Sequence, residues 1–154
     1  DLDYTLYHSP LPPNGDPTWY MHAHSLEGWK PPGFDGRWNL PVLMEARRSS
    51  LDPLVRTVVL TARPSHKAMR EMVERLVGST DIKWNAVCLK PVLSVMSDAE
   101  YKARVLQRWA QTWPTLQKVV LYDDRPENHE AAKRAVEQEG RQYIGVLTPE
   151  RSTR

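Results

Sequence analysis

The sequence predicts an α/β protein in which short parallel strands alternate with helices. Apolar runs of strand length occur at residues 58–60, 86–89, 119–122 and 143–147. Between these runs, apolar residues recur at helical spacing. Strands that alternate with helices form βαβ units and a parallel sheet. The length of 154 residues suits one domain.

Three helices are predicted between and after these strands. The first covers residues 65–77, with Ser65 as the N-cap and Gly78 as the stop. The second begins near Ser97, and the third runs over 127–139 and stops at Gly140. Their buried faces are carried by apolar residues three or four positions apart: Met69, Met72, Val73 and Leu76 in the first helix, and Tyr101, Val105, Leu106 and Trp109 in the second.

Residues 1–54 differ in composition from the rest of the chain. They hold eight of the 13 prolines and three tryptophans, Trp19, Trp29 and Trp38. Because proline fixes φ and lacks a backbone donor, this stretch is predicted to contain neither a long helix nor a central strand. The tryptophans indicate an ordered, irregular segment, and they either pack it onto the sheet or stack nucleobases.

Composition excludes several protein classes. The formal net charge of +2 is too small to indicate nucleic-acid binding by itself, and no apolar run reaches the roughly 20 residues that a membrane helix needs. The single cysteine, Cys88, has no partner for an internal disulfide. We therefore expect a reducing intracellular compartment, cytoplasm or mitochondrion, and no membrane partner.

Two pairs of aspartates mark the expected functional edge of the sheet. Asp1 and Asp3 open the chain, and Asp123 and Asp124 follow the strand at 119–122. Ligands of such sheets bind beyond the carboxyl ends of the strands. Carboxylates brought together there need a cation, and an all-oxygen ligand set favours Mg²⁺. The metal in turn would attract phosphate.

The residue types at this edge suit phosphoryl transfer. One carboxylate of the Asp1–Asp3 pair can attack phosphorus, while the other protonates the leaving oxygen and later activates water. The Thr61 hydroxyl, at a second strand end, can contact a phosphate oxygen. A lysine can stabilise the charge that develops in the transition state.

These residues resemble the motifs of the haloacid dehalogenase-like (HAD) superfamily of Mg²⁺-dependent phosphohydrolases. Motif one corresponds to Asp1-Leu2-Asp3-Tyr4-Thr5, motif two to Thr61 and motif four to Asp123-Asp124. The motif-three lysine lies in a helix upstream of motif four. Lys102 fits that placement better than Lys90, which directly follows a strand.

A narrower resemblance is to the Swiss Army Knife RNA repair-like HAD family. It is carried by the opening Asp1–Leu6, Gly28-Trp29, Trp38-Asn39, Leu60-Thr61-Ala62-Arg63, Leu89-Lys90-Pro91, Lys102, Tyr122-Asp123-Asp124-Arg125 and His129. The sequence departs from the family pattern at Lys30, where a second tryptophan is usual, and at Ala62, where glycine is usual.

The resemblance implies a three-layer Rossmann-like HAD core formed by one domain over residues 1–154. The irregular, Pro/Trp-rich insertion at 6–54 would occupy the cap position between motifs one and two. The family pattern also leads us to expect a first strand upstream of residue 1. A proline-rich cap of this kind would leave the site open to a polymer end.

The resemblance also implies roles for individual residues. Asp1 would form an aspartyl-phosphate, Asp3 would act as acid and then base, and Thr61 and Lys102 would hold phosphoryl oxygens. Mg²⁺ would bind Asp1, the Asp3 backbone carbonyl, and Asp123 or Asp124. The substrate would be a phosphomonoester, with RNA ends or nucleotides suggested by the RNA repair-like family. The candidate substrate-binding residues are Thr5, Arg63 and Arg125.

Two interpretations remain open for several of these residues. Arg63 and Arg125 either clamp a phosphate bidentately or pair with neighbouring aspartates. His129 either orients the Asp123-Asp124 loop or faces solvent. The functional alternative is a non-catalytic HAD-like subunit that keeps the motifs within a larger, ribonucleoprotein assembly.

Overall fold

The computed structural model describes residues 1–149, and its regular elements alternate in the predicted order. Three 3₁₀ turns come first, at Pro13–Gly15, Trp19–Met21 and Ala23–Leu26. The longer elements then follow in the order α1 (Leu40–Ser50), β1 (Val58–Pro64), α2 (Lys67–Gly78), β2 (Ala86–Lys90), α3 (Asp98–Thr112), β3 (Lys118–Asp123), α4 (Pro126–Gln138) and β4 (Gln142–Leu147).

The strands pair in parallel, as the sequence predicts. β1 pairs with β2 from Val58 opposite Ala86, and β3 pairs with β4 from Lys118 opposite Gln142. Within residues 1–149 these pairs form two separate two-stranded sheets. The strand expected before residue 1 stays a prediction. The parallel mixed α/β architecture is therefore confirmed, while one continuous sheet is not.

Strand β1 contributes to two hydrophobic clusters because its side chains alternate between opposite faces. Val59 packs in a cluster with α2 and the amino-terminal segment, whereas Leu60 packs with α3, β3 and α4. The first cluster includes the fully buried Leu2, Leu26 and Met69. The amino-terminal segment is thus part of the core and not a peripheral loop.

Residues 6–54 are more regular than the prediction of an irregular insertion. The 11-residue helix α1 lies inside this segment, and sequence reasoning did not predict it. Pro41 falls in the first turn of α1, where a missing backbone N–H is not needed. Elsewhere in the segment, the prolines coincide with 3₁₀ turns and loops.

The tryptophans of this segment mainly pack it onto the core. Trp38 is 4% exposed, meets the Tyr7 ring edge-on and donates from Nε1 to the Lys30 carbonyl at 2.8 Å. Trp29 packs against the same cluster. Of the two interpretations of these rings, the packing one is supported for Trp29 and Trp38.

Helix ends follow local capping chemistry. Ser97 caps α3 with a complete capping box to Glu100, as its position predicts. The N-cap of helix α2 is one residue later than expected, because it is His66 and not Ser65. The His66 Nδ1 accepts from the Met69 backbone N at 3.2 Å. No helix among residues 1–149 combines the length and apolarity that a bilayer crossing requires.

Candidate functional site

A pocket of about 360 Å³ lies at the carboxyl ends of the strands, where parallel sheets place their ligands. Its polar walls combine three of the predicted carboxylates, Asp1, Asp3 and Asp124, with basic side chains. Its apolar wall comes from the loop after β2 and from residues 13–26, which contain the three 3₁₀ turns and are called the 3₁₀ segment below. The lining includes Asp1, Asp3, Thr61, Arg63, Lys90, Asp98, Lys102, Asp124, Arg125 and Asn128, together with Tyr20, Met21, Pro91 and Val92.

A tight turn at the start of the chain positions Asp1 and Asp3. The Leu2 carbonyl accepts from the backbone N of both Leu6 and Tyr7, and Tyr4 takes a left-handed φ of 55°. Leu2 and Leu6 are buried and anchor this turn in the core. The Asp1 nitrogen donates to the Tyr122 carbonyl at 2.8 Å. This contact brings Asp1 to the end of β3.

Lys102 lies at the centre of the innermost group. Its Nζ is 2.8 Å from Asp1 Oδ1 and 2.6 Å from Asp123 Oδ2, and the lysine is 2% exposed. Helix α3 supplies this lysine from its buried face, as the motif-three assignment expects. Lys90, the alternative, pairs instead with Asp98 at 3.1 Å. The geometry therefore favours Lys102 for the position beside the carboxylates.

Three of the four predicted aspartates come close enough to share a cation. Carboxylate oxygens of Asp1, Asp123 and Asp124 all lie within 4.8 Å of one another. Asp123 is fully buried and accepts from the Arg125 backbone N at 3.0 Å and from Asn128 Nδ2 at 2.8 Å. The structure does not choose between Asp123 and Asp124, since both join Asp1 in the cluster.

The two aspartates of the β3 end have opposite pKa shifts. Burial would raise the pKa of Asp123, but Lys102 and the hydrogen-bond donors around the carboxylate outweigh burial and lower it. For Asp124, burial and the neighbouring Asp123 charge both raise the pKa. A cation placed beside these carboxylates would favour their ionised forms.

Arg63 pairs with Asp3, and its predicted binding of a substrate phosphate stays a prediction. Its Nε is 2.9 Å from Asp3 Oδ2 and its Nη2 is 2.8 Å from Oδ1, a bidentate arrangement. Ser9 Oγ donates to the same carboxylate. Burial opposes ionisation of Asp3, yet Arg63 and Ser9 together lower its pKa. With its carboxylate held by Arg63, Asp3 stands apart from the three-aspartate cluster.

The two predicted threonines occupy different places. Thr61 is 1% exposed, lines the pocket and accepts from the Arg63 backbone N at 3.3 Å. Thr5, predicted to bind substrate, does not line the pocket. It is fully buried, and its Oγ1 lies 3.2 Å from Thr148 Oγ1. Thr5 points into the protein because the turn after Asp3 directs Tyr4 toward the pocket in its place.

The 3₁₀ segment is attached to the site by polar contacts. Arg63 Nη1 donates to Ser25 Oγ at 2.7 Å and to the Tyr20 carbonyl at 3.4 Å, and His66 Nε2 lies 3.1 Å from the Met21 carbonyl. The Tyr20 and Tyr4 hydroxyls are hydrogen-bonded to each other. One arginine therefore links Asp3 to the segment that forms the pocket wall.

His129 is partly buried and contacts the end of β3. Its Nε2 lies 3.0 Å from the Asp123 carbonyl, and its Nδ1 lies 2.7 Å from the Tyr143 hydroxyl. Gly145 on β4 permits this approach, because a Cβ there would lie 2.7 Å from His129 Nδ1. Of its two interpretations, the orienting one is supported.

Sequence reasoning missed Asn128 and Asp98. Asn128 is 2% exposed, and its Oδ1 has no hydrogen-bond partner although it is buried at the site. Its position one helical turn after Asp124 was the available signal. Asp98 pairs with Lys90 and lies 3.9 Å from Arg125 Nη1. Its position at the start of α3 does not predict the contact with Arg125.

Comparison with known proteins bears on the family of the chain. The chain is 24% identical over 164 aligned positions to an uncharacterized protein of Saccharomyces cerevisiae, a match that covers 86% of this chain and 35% of the yeast protein. The chain thus spans about a third of the length of that relative. No solved structure gives a significant match. The profile of HAD domain family 1 in Swiss Army Knife RNA repair proteins matches residues 9–144, a range that starts after the Asp1–Asp3 pair. On this match over most of its length, the chain belongs to the family described as HAD domain family 1 in Swiss Army Knife RNA repair proteins.

Proposed function

We propose that the protein is a Mg²⁺-dependent phosphomonoesterase that acts through an aspartyl-phosphate on Asp1. The observation that supports this most directly is the placement of Lys102 between Asp1 and Asp123, with Asp124 within cation-sharing distance. A nucleophilic carboxylate, a cation site and a positive side chain are thus grouped in one pocket. Phosphorylated RNA ends or nucleotides are the proposed substrates, on the strength of the family.

The donor set fits Mg²⁺ in chemistry and in charge. Asp1, Asp123 and Asp124 offer carboxylate oxygens, and the unpartnered Asn128 Oδ1 adds a buried neutral oxygen nearby. With Asp3 included, four carboxylates face the two cations Arg63 and Lys102, for a formal charge of −2 when all are ionised. A divalent cation would neutralise this charge and polarise a phosphoryl oxygen.

The proposed reaction has two halves. In the first, an Asp1 carboxylate oxygen bonds to phosphorus while the bond from phosphorus to the leaving oxygen breaks, and the protonated Asp3 carboxyl gives its proton to the leaving oxygen. In the second, water attacks the phosphorus of the aspartyl-phosphate, Asp3 accepts a proton from that water, and inorganic phosphate leaves with Asp1 restored. The Thr61 hydroxyl and the Lys102 ammonium hold phosphoryl oxygens in both halves.

The Arg63–Asp3 pair favours the second half of this reaction. An ionised Asp3 is ready to accept a proton from water, whereas donation to the leaving oxygen requires the protonated acid. We therefore propose that substrates whose leaving oxygen departs readily, such as aryl phosphates, are hydrolysed faster than alkyl phosphates of the same size.

The same proposal extends to the architecture. The chain would form one domain over 1–154 around a three-layer Rossmann-like core, with residues 6–54 in the cap position. Two observations support this: Val59 and Leu60 of β1 pack into clusters on opposite faces, and the 3₁₀ turns supply Tyr20 and Met21 to the pocket. Cys88, the single cysteine, supports the proposal that the protein works in a reducing intracellular compartment.

The test is phosphate release from p-nitrophenyl phosphate and from RNA oligomers phosphorylated at the 5′ or the 3′ end, with Mg²⁺ and with chelator. We expect release that requires Mg²⁺ and that Asp1→Asn abolishes. Asp81→Asn is the matched control, since Asp81 is 90% exposed and pairs only with the surface residue Arg47 in the described structure. Absence of release from folded protein that binds Mg²⁺ would contradict the proposal and favour the non-catalytic subunit.

A further inference from the structure

Two basic side chains at the mouth of the pocket share a single carboxylate. Lys90 Nζ lies 3.1 Å from Asp98 Oδ1, and Arg125 Nη1 lies 3.9 Å from Asp98 Oδ2. All three residues line the pocket that contains Asp1 and Lys102. They come from separate elements: Lys90 ends β2, Asp98 begins α3, and Arg125 precedes α4.

Lys90, Asp98 and Arg125, called the mouth group below, have a net formal charge of +1. The inner group, formed by the four predicted aspartates with Arg63 and Lys102, has a formal charge of the opposite sign. One carboxylate cannot neutralise two cations, and Arg125 is held only loosely, at 3.9 Å and with its side chain 53% exposed. The Lys90 side chain is 16% exposed, so its ammonium is partly withdrawn from water and directed toward the pocket that it lines. A partly desolvated cation attracts an anion more strongly than a freely solvated one.

The mouth group is also unnecessary for the chemistry of the inner site. Lys102 already pairs with Asp1 and Asp123, and Arg63 is occupied by Asp3 and Ser25. A pocket of about 360 Å³ exceeds what a single phosphate group fills and lies in the range of small-molecule sites, roughly 300–1,000 Å³. The pocket therefore has room for a substrate that contacts both the inner site and the pair Lys90 and Arg125.

We propose that Lys90 and Arg125 bind a second phosphate of the substrate, with Asp98 as the carboxylate that this phosphate displaces. The ligand class is a molecule with two phosphate groups, one hydrolysed at Asp1 and one retained. Two sources share this chemistry: a nucleoside bisphosphate, and a phosphorylated RNA end with its adjoining phosphodiester. This inference deepens the proposed phosphatase function and rests on it for the identity of the inner group.

The first experiment compares kcat/KM for adenosine 3′,5′-bisphosphate with that for adenosine 5′-monophosphate and adenosine 3′-monophosphate. We expect a preference for the bisphosphate that Lys90→Ala reduces roughly tenfold, about the effect of one charge-assisted hydrogen bond. Lys133→Ala removes an equal charge from an exposed position on α4 and should leave the preference intact. An equal loss for bisphosphate and monophosphates in Lys90→Ala would overturn the proposal.

Asp98→Asn should change the preference for the bisphosphate in the opposite direction from Lys90→Ala. If Asp98 competes with a phosphate, its neutralisation should increase the preference for the bisphosphate. If Lys90, Asp98 and Arg125 form only a structural ion-pair group, the same substitution should lower the preference or leave it unchanged, and that result would also overturn the proposal. Asp98→Asn retains both Lys90 and Arg125. It therefore tests the proposal even if Lys90→Ala fails to fold.

Binding to Asp1→Asn separates this inference from the proposed function. Calorimetric titration of Asp1→Asn with the same adenosine phosphates and Mg²⁺ should show that the bisphosphate binds more tightly than the monophosphates. The double variant Asp1→Asn, Lys90→Ala should bind the bisphosphate more weakly than Asp1→Asn does. Both results are expected even if the wild-type protein releases no phosphate. Equal affinity for bisphosphate and monophosphates would contradict the second subsite alone. Parallel titrations with a 5′-phosphorylated RNA dinucleotide and with adenosine 3′,5′-bisphosphate decide which source of the second phosphate is preferred.

Discussion

At the scale of single residues, Asp3 has an environment that separates it from the other carboxylates of the site. Bidentate pairing with the buried Arg63 fixes its orientation and lowers its pKa. Asp1, two residues earlier, instead pairs with Lys102. One arginine and one lysine therefore give two neighbouring aspartates different chemical environments.

Asp3→Asn should slow turnover by roughly 10²–10⁴-fold, the usual contribution of a general acid or base. Because the amide cannot accept a proton from water, the aspartyl-phosphate on Asp1 should persist. Intact-mass spectrometry after an acid quench should detect the mass of one added phosphoryl group in Asp3→Asn and none in Asp1→Asn,Asp3→Asn. A phosphoryl adduct in the double variant would place the nucleophile elsewhere.

Lys102 is the second residue whose replacement should be informative. Removal of one partner from a buried ion pair costs about 3–5 kcal/mol, and Lys102→Met would leave Asp1 and Asp123 without it. Since Mg²⁺ can substitute for the lost charge, the increase in Tm on adding Mg²⁺ should be larger in Lys102→Met than in wild type. Lys67→Met is the control, because Lys67 is 90% exposed. If Mg²⁺ raises the Tm of Lys102→Met and of the wild type equally, the proposal that Mg²⁺ binds the carboxylates that contact Lys102 would be contradicted.

At the scale of elements, β4 supports the aspartates of β3 through one glycine. Gly145 leaves room for His129, which contacts the Asp123 carbonyl and the Tyr143 hydroxyl. In Gly145→Ala the new Cβ would lie 2.7 Å from His129 Nδ1 and 3.1 Å from Tyr143 Cε1. Relief of that overlap must disturb a ring that is hydrogen-bonded at both nitrogens.

Gly145→Ala should therefore lower the free energy of unfolding by about 1–3 kcal/mol, the usual cost of overpacking. It should also weaken Mg²⁺ binding, because His129 contacts the Asp123 carbonyl. Urea unfolding and calorimetric Mg²⁺ titration measure the two effects. Gly78→Ala is the matched control: a Cβ on Gly78 meets nothing within 4 Å, so this variant should be neutral or slightly stabilising. A neutral Gly145→Ala would mean that His129 is free to move aside.

The sequence predicted the elements after residue 55 well, because each follows a local rule. The strands are short apolar runs, and α3 has a Ser97–Glu100 capping box. Helix α1 was missed because its Pro41 was interpreted as a helix breaker, although proline is compatible with a first turn. The α2 cap was misplaced because the preference for serine at N-caps favoured Ser65 over His66.

Sequence reasoning anticipated the placement of residues whose strand or helix fixes their direction, such as Asp123 and Lys102, which lie in contact. It could not assign partners, which depend on contacts distant in sequence. The Arg63–Asp3 pair spans 60 residues, and the Asp98–Arg125 contact joins the start of α3 to the residue before α4. The turn that buries Thr5 depends on Tyr4 taking a positive φ, which no sequence pattern here signals.

At the scale of the whole molecule, the presence of two hydrophobic clusters determines whether the chain unfolds in one transition or in two. The cluster around α2 and the amino-terminal segment includes Leu76, and the cluster between α3 and α4 includes Leu106. The two-stranded sheets do not pair with each other within residues 1–149. Strand β1 nevertheless joins both clusters, through Val59 on one face and Leu60 on the other.

Because one strand belongs to both clusters, we expect the chain to unfold as one unit. Leu76→Ala and Leu106→Ala should each reduce the free energy of unfolding by about 2–5 kcal/mol, as buried leucines do. In urea, tryptophan fluorescence and circular dichroism should give one coincident transition, and each variant should move it as a whole. The double variant should show additive losses within about 0.5 kcal/mol, since the leucines lie in separate clusters. Two transitions, of which each variant shifts only one, would instead divide the chain at β1 into separately folding halves.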